Sequence, residues 1–109
     1  MKLQKTIQTA KAIKISVKEG KKEVGRAYLY LIKNDLHKRP YGLMEDVFVE
    51  ETLRGQGWGS KLIKAVFKEA KKRNCYKLIA TSRRSRPKVH RLYSRFGLKK
   101  HGYEFRINF

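Results

Sequence analysis

From Lys11 to Lys18 the chain alternates, with Ile13, Ile15 and Val17 on one side and Lys14, Ser16 and Lys18 on the other. A period of two marks a half-buried strand. Glu19-Gly20-Lys21-Lys22 then reads as a turn, with Gly20 free to take a positive φ. Glu23 to Lys33, rich in Tyr28, Leu29, Tyr30, Leu31 and Ile32, is a second strand, and the two form a hairpin. Asn34 to Gly42 is a loop, and Leu43 to Glu50 is a third strand. The period changes after that. Leu62, Ile63, Val66, Phe67 and Ala70 share one side of a segment from Lys61 to Arg73, and Lys61, Lys64, Lys68, Lys71 and Lys72 take the other. That spacing predicts an amphipathic helix lying on a sheet, with Asn74 able to end it. Tyr76 to Thr81 is a fourth strand, parallel to the third because a helix joins them. Pro87 suits the first position of a second helix, Val89, Leu92, Tyr93 and Phe96 follow helical spacing, and Gly97 sits where a C-terminal cap belongs. Lys99 to Phe109 alternates again and predicts a last strand. The fold class is therefore α/β with a mixed α+β sheet, in the order β-β-β-α-β-α-β, and residues 1–109 form one domain.

Between the third strand and the first helix lies Arg54-Gly55-Gln56-Gly57-Trp58-Gly59-Ser60. Three glycines allow a tight turn and leave backbone N–H groups unshielded. The positive end of the helix dipole points at the same spot, which suits a phosphate or pyrophosphate. The turn also falls where the antiparallel half of the sheet gives way to the crossover, and ligands favour such switch points.

Charge adds a second constraint. There are 28 Lys and Arg against 9 Asp and Glu, a net charge of +19. Four of the acids, Glu45, Asp46, Glu50 and Glu51, lie within seven residues, and from Ala70 to Tyr103 there are twelve basic residues and no acid. Such a field favours polyanions, so ribosome or RNA association is compatible with it; a solvated basic surface is the plainer reading. Arg83, Arg84, Arg86 and Lys88 stay open between phosphate contact and a solvated loop. One cysteine, Cys75, and three scattered histidines give no disulfide and no metal site. No apolar run is long enough to span a bilayer, and Met1 to Ala10 lacks the apolar block of a signal peptide, so a cytoplasmic location is expected.

Taken together, these motifs resemble the GNAT superfamily of acetyl-CoA-dependent N-acetyltransferases. Arg54-x-x-Gly57-x-Gly59 matches that family's [Gln/Arg]-x-x-Gly-x-[Gly/Ala] signature, and Leu92-Tyr93-Ser94-Arg95-Phe96-Gly97-Leu98 matches its later Leu-Tyr-x-x-x-Gly-Phe/Leu segment. The resemblance implies that acetyl-CoA is the co-substrate and an amine the acceptor, with direct attack in a ternary complex. It implies that backbone N–H groups of Gln56, Gly57, Trp58, Gly59 and Ser60 hold the pyrophosphate of coenzyme A, with Gly55 in the same turn and Arg54 supporting it. Val47, Phe48 and Val49 would pair with the pantetheine arm as an added strand. Tyr93 corresponds to the acid that protonates the departing thiolate. Glu45 and Asp46 occupy the acidic positions that receive or deprotonate the amine; neighbours on a strand face opposite ways, and Glu45 is the preferred base. Arg86 stands where the family commonly has Asn, adding charge where the 3′-phosphate of coenzyme A would be met. Only about ten residues precede the first strand, so the family's usual N-terminal helices are lacking and the acceptor-side lid is missing or replaced, as by a partner subunit in a homodimer. The alternative function is a non-catalytic GNAT-like module that binds RNA or another polyanion through its basic surface.

Overall fold

The computed structural model describes residues 1–109. Strand β1 (Lys11–Glu19) and strand β2 (Lys22–Ile32) form the hairpin, and Gly20, at φ +62°, makes its turn. Strand β3 (Tyr41–Val49) pairs antiparallel with β2. A single turn of 3-10 helix, Glu51–Leu53, leads into the glycine turn. Helix α1 (Trp58–Lys72) follows, then strand β4 (Leu78–Ala80) and helix α2 (Pro87–Arg95). The sheet order is β1-β2-β3-β4. Tyr76 N–H donates to the Pro40 carbonyl (3.0 Å) and Gly42 N–H to the Lys77 carbonyl (2.9 Å). These two rungs climb both segments in the same direction, so β4 runs parallel to β3 and the sheet is mixed. No helix is long and apolar enough to cross a membrane.

The chain forms two compact units, residues 1–79 and residues 80–109. In the first, α1 lies on one face of β2 and β3. Its buried residues Leu62, Ile63, Val66 and Ala70 meet Val24, Ala27, Leu29 and Met44 of the strands. Burying each of the larger aliphatic side chains contributes about 1.5–3 kcal/mol. The lysines named above stay exposed. The helix ends where Asn74 takes φ +62°. Cys75 N–H then reaches back to the Ala70 carbonyl and Asn74 N–H to the Lys71 carbonyl, the paired bonds of a Schellman cap.

In the second unit α2 ends the same way. Gly97 takes φ +90°, Leu98 N–H donates to the Tyr93 carbonyl (3.1 Å) and Gly97 N–H to the Ser94 carbonyl (3.0 Å). Beyond it the expected strand over Lys99–Phe109 does not form. The segment has no ladder partner, and Tyr103, Phe105, Ile107 and Phe109 are among the most exposed apolar side chains of the protein. Alternation fits a chain to a sheet edge, but without a neighbouring strand its backbone hydrogen bonds go to water.

Candidate active site

The site is built on an irregularity in β3. Tyr28 of β2 lies opposite Glu45, yet Arg26 lies opposite Phe48, so Asp46 and Val47 together face Ala27. One extra residue makes this a β-bulge, and Asp46 absorbs it at φ +52°. The alternation is reset there. Before the bulge Gly42 and Met44 face α1 and Leu43 and Glu45 face away; after it Val49 lies opposite buried Gly25, which puts Val47 and Val49 on the helix side. Glu45 and Asp46 were expected on opposite faces. Instead both line one open pocket of about 440 Å³, together with Ala10, Tyr28, Tyr30, Ile32 and Leu43.

The two carboxylates differ in what surrounds them. Arg26 grips Asp46 through two hydrogen bonds, Nε to Oδ2 at 2.9 Å and Nη2 to Oδ1 at 3.3 Å. Asp46 in turn holds the Arg26 guanidinium above its ordinary range. The same guanidinium lies 4.8 Å from the centre of the Phe48 ring, so Arg26 ties together the two sides of the bulge. The Glu45 carboxylate, by contrast, is in none of the protein's side-chain hydrogen bonds or ion pairs. Sequence reasoning missed Arg26, Tyr28 and Tyr30 as parts of a site, because they read only as strand residues; the run of polar-tipped tyrosines two apart was the available signal.

From the end of β3 the chain turns into the glycine loop. Arg54 Nε donates to the Val49 carbonyl at 3.0 Å, and Arg54 N–H to the Glu51 carbonyl at 3.2 Å. Arg54 thus fastens the loop to the end of β3. Gly55 and Gly57 take φ +81° and +85°. Gly57 is the N-cap of α1, and its carbonyl accepts the first helical bond, from Lys61 N–H at 3.1 Å. The N–H groups of Gln56, Gly57, Trp58, Gly59 and Ser60 therefore have no acceptor within the protein. A methyl group built on Gly55, Gly57 or Gly59 would meet open space, and no acidic residue stands in the first turn. A row of free donors at a positive helix end, with nothing between it and solvent, can accept a pyrophosphate. Trp58 is half-buried with the Lys61 ammonium 4.2 Å from its ring centre. Next to this loop β3 has an open edge. β4 stops three residues past Lys77, whereas β3 runs on for seven past Gly42, so no strand flanks Val47, Phe48 and Val49 on that side.

The second unit carries Arg86 and Tyr93. Arg86 is the N-cap of α2, exposed, with Pro87 following at the first helical position. Its N–H donates to the Arg83 carbonyl at 3.1 Å, and that same carbonyl lies 2.8 Å from His90 Nε2. His90 thus closes the basic turn onto the helix, a role its flanking residues did not reveal. Tyr93 is half-buried in the last turn of α2, fixed by the Schellman cap on its own carbonyl. The Leu-Tyr-x-x-x-Gly-Leu pattern is, in physical terms, that cap: Gly97 supplies the left-handed residue and Leu98 the returning N–H.

The model of the acetyltransferase (GNAT) family matches residues 4–98. Among curated proteins no sequence matches the chain. Among solved structures it is similar to a protein of Agrobacterium tumefaciens str. C58 assigned to the acetyltransferases, at 30% identity and TM-score 0.81 over 89% of this chain and 68% of that one. It is similar to an acetyltransferase of Trypanosoma brucei at 25% identity and TM-score 0.79, over 90% of this chain and 69% of that one. It shares its fold with the glucosamine-6-phosphate N-acetyltransferase of Arabidopsis thaliana at 23% identity and TM-score 0.78, over 90% of this chain and 67% of that one. With the family model matching residues 4–98, most of its length, the chain belongs to the acetyltransferase (GNAT) family.

Proposed function

We propose that this protein transfers an acetyl group from acetyl-CoA to a primary amine by direct attack within a ternary complex. The observation that carries the reading is the loop of residues 56–60, whose five consecutive N–H groups lack acceptors beside an unpaired stretch of β3 edge. The loop would hold the pyrophosphate, and the backbone of Val47, Phe48 and Val49 would align the pantetheine arm. Acetyl-CoA supplies an activated acyl group as its thioester. Glu45, the pocket carboxylate without an ion partner, would take the proton from the incoming ammonium and pass it to solvent. The amine nitrogen then bonds to the acyl carbon as the carbon–sulfur bond breaks. The Tyr93 phenol would give its proton to the departing thiolate, and the second proton that the new amide nitrogen sheds would restore the phenol by way of solvent. Arg86 would meet the 3′-phosphate. A cytoplasmic location belongs to the same proposal.

Replacing Tyr93 by Phe tests the assignment. Loss of a general acid lowers turnover by about 10²–10⁴-fold, while calorimetric titration with acetyl-CoA should give wild-type affinity. Unchanged turnover would remove Tyr93 from the mechanism. The net charge of +19 keeps a second reading in view, a polyanion-binding module of the same fold. Salt-dependent RNA affinity with no measurable acetyl-CoA binding would favour it.

A further inference from the structure

The pocket that holds Glu45 also limits which amines it can take, an inference that rests on the acetyltransferase reading above. Its neutral walls are Tyr28, Tyr30, Ile32, Leu43 and Ala10, and its charged groups are Glu45 and Asp46. The Tyr28 and Tyr30 rings are nearly parallel, 14° apart with centres 6.1 Å from each other, and give the pocket an aromatic wall. Two cations approach that wall, and both are already paired. Arg26 is bound to Asp46 at 2.9 Å. Lys14, 5.8 Å from the Tyr28 ring centre, is bound to Glu23 at 2.6 Å. That hydrogen bond raises the Lys14 ammonium and lowers the Glu23 carboxyl relative to their ordinary values, so each holds the other in its charged form. The pocket is left with an aromatic face, one uncompensated carboxylate and no free cation.

We propose that this pocket selects an amine whose only charge is its ammonium, carried on an apolar or aromatic body, and rejects amines that bear a carboxylate or phosphate beside the amino group. An ammonium is attracted to the face of an aromatic ring and is matched by the Glu45 charge. The apolar body sits against Ile32 and Leu43. An anionic substituent in the same place meets only cations already paired with Asp46 and Glu23, faces Glu45, and loses water for little compensation. Arg26 is what makes the selection sharp. By neutralising Asp46 it leaves a single negative charge, suited to one ammonium, and it has no hydrogen-bonding capacity left on its Asp46-facing edge to receive an anion.

A matched pair of ligands tests this on the whole chain without turnover. Phenethylamine and phenylalanine share a body and an amino group and differ by one carboxylate. Calorimetric or NMR titration should show phenethylamine binding at least about tenfold more tightly than phenylalanine or glucosamine 6-phosphate. Tyr30→Ala should weaken phenethylamine binding about three- to thirtyfold, and Glu45→Gln should remove most of the preference over phenylalanine. Tyr28→Leu provides the second probe of the wall should Tyr30→Ala fail to give the wild-type circular dichroism spectrum. Equal or tighter binding of phenylalanine or the sugar phosphate, no binding of phenethylamine at millimolar concentration, or unchanged affinity in folded wall variants would each overturn the proposal. A parallel titration with acetyl-CoA separates the two levels: its failure would overturn the acetyltransferase reading, whereas the amine titrations judge the pocket alone.

Discussion

Two glycines two residues apart in the loop before α1 should respond to the same substitution with opposite signs. Gly57 is the N-cap of α1 at φ +85°. Gly59 lies inside the first turn of the helix and has no positive φ. A methyl group on either meets no atom within 4 Å, so packing drops out of the comparison and backbone conformation alone decides it. An alanine forced into the left-handed region at position 57 costs about 1–2 kcal/mol. An alanine at position 59 removes a helical glycine and stabilises by about 0.5–1 kcal/mol. The two variants should therefore differ by about 1.5–3 kcal/mol, a separation of at least about 6 °C in Tm for a domain of this size. Thermal and urea unfolding of the free protein, followed by circular dichroism, measure it directly. Should Gly57→Ala prove as stable as Gly59→Ala, the left-handed N-cap and the exposed row of N–H groups built on it would both be wrong.

The bulge makes a related prediction. At Asp46, φ +52°, Asn is tolerated while a β-branched residue is not. Asp46→Val should lose about 1–3 kcal/mol from backbone strain, and Asp46→Asn clearly less; urea midpoints distinguish them, and equal midpoints would argue against the bulge. Cys75 offers a pH test. Burial raises its thiol above the ordinary range, outweighing the nearby Arg73 charge that lowers it. At neutral pH the folded protein should react with iodoacetamide more slowly than the urea-unfolded chain. The associated stability is present below the ordinary thiol pKa and is lost as pH rises through the raised one. Equal alkylation rates in the folded and unfolded forms would refute the burial.

What the sequence disclosed was what is local. Ile13-x-Ile15-x-Val17 and the helical spacing from Leu62 to Ala70 each encode an element within one stretch of chain, and both elements form. The caps were equally legible, since Asn74 and Gly97 do at the two helix ends what short-range chemistry requires. Helix α1 starts at Trp58 rather than Lys61, because Gly57 caps it and Gly59 enters it despite its low helix propensity. Features that depend on a neighbour were hidden. Tyr103 to Phe109 alternates as a strand should, but no local pattern states whether a partner edge exists. The shared pocket of Glu45 and Asp46 was invisible for the same reason, since a bulge is a mismatch between two strands and Val47-Phe48-Val49 alternates perfectly on its own. The arginine that holds the bulge lies twenty residues upstream in another strand.

That mismatch has a consequence for how β3 can change over time. Met44 and Val47 both face α1 although they are three apart, and Glu45 and Phe48 both face away. The strand is thus read in two frames, with the shift at Asp46. Deleting Asp46 itself would remove the extra residue and leave Met44, Val47 and Val49 toward the helix and Glu45 and Phe48 away from it, a regular strand without the carboxylate that Arg26 holds. An insertion or deletion elsewhere in β3 would misplace one frame while sparing the other. Length changes in β3 away from Asp46 should therefore be far more damaging than substitutions, and the count of residues on each side of the bulge matters as much as their identity.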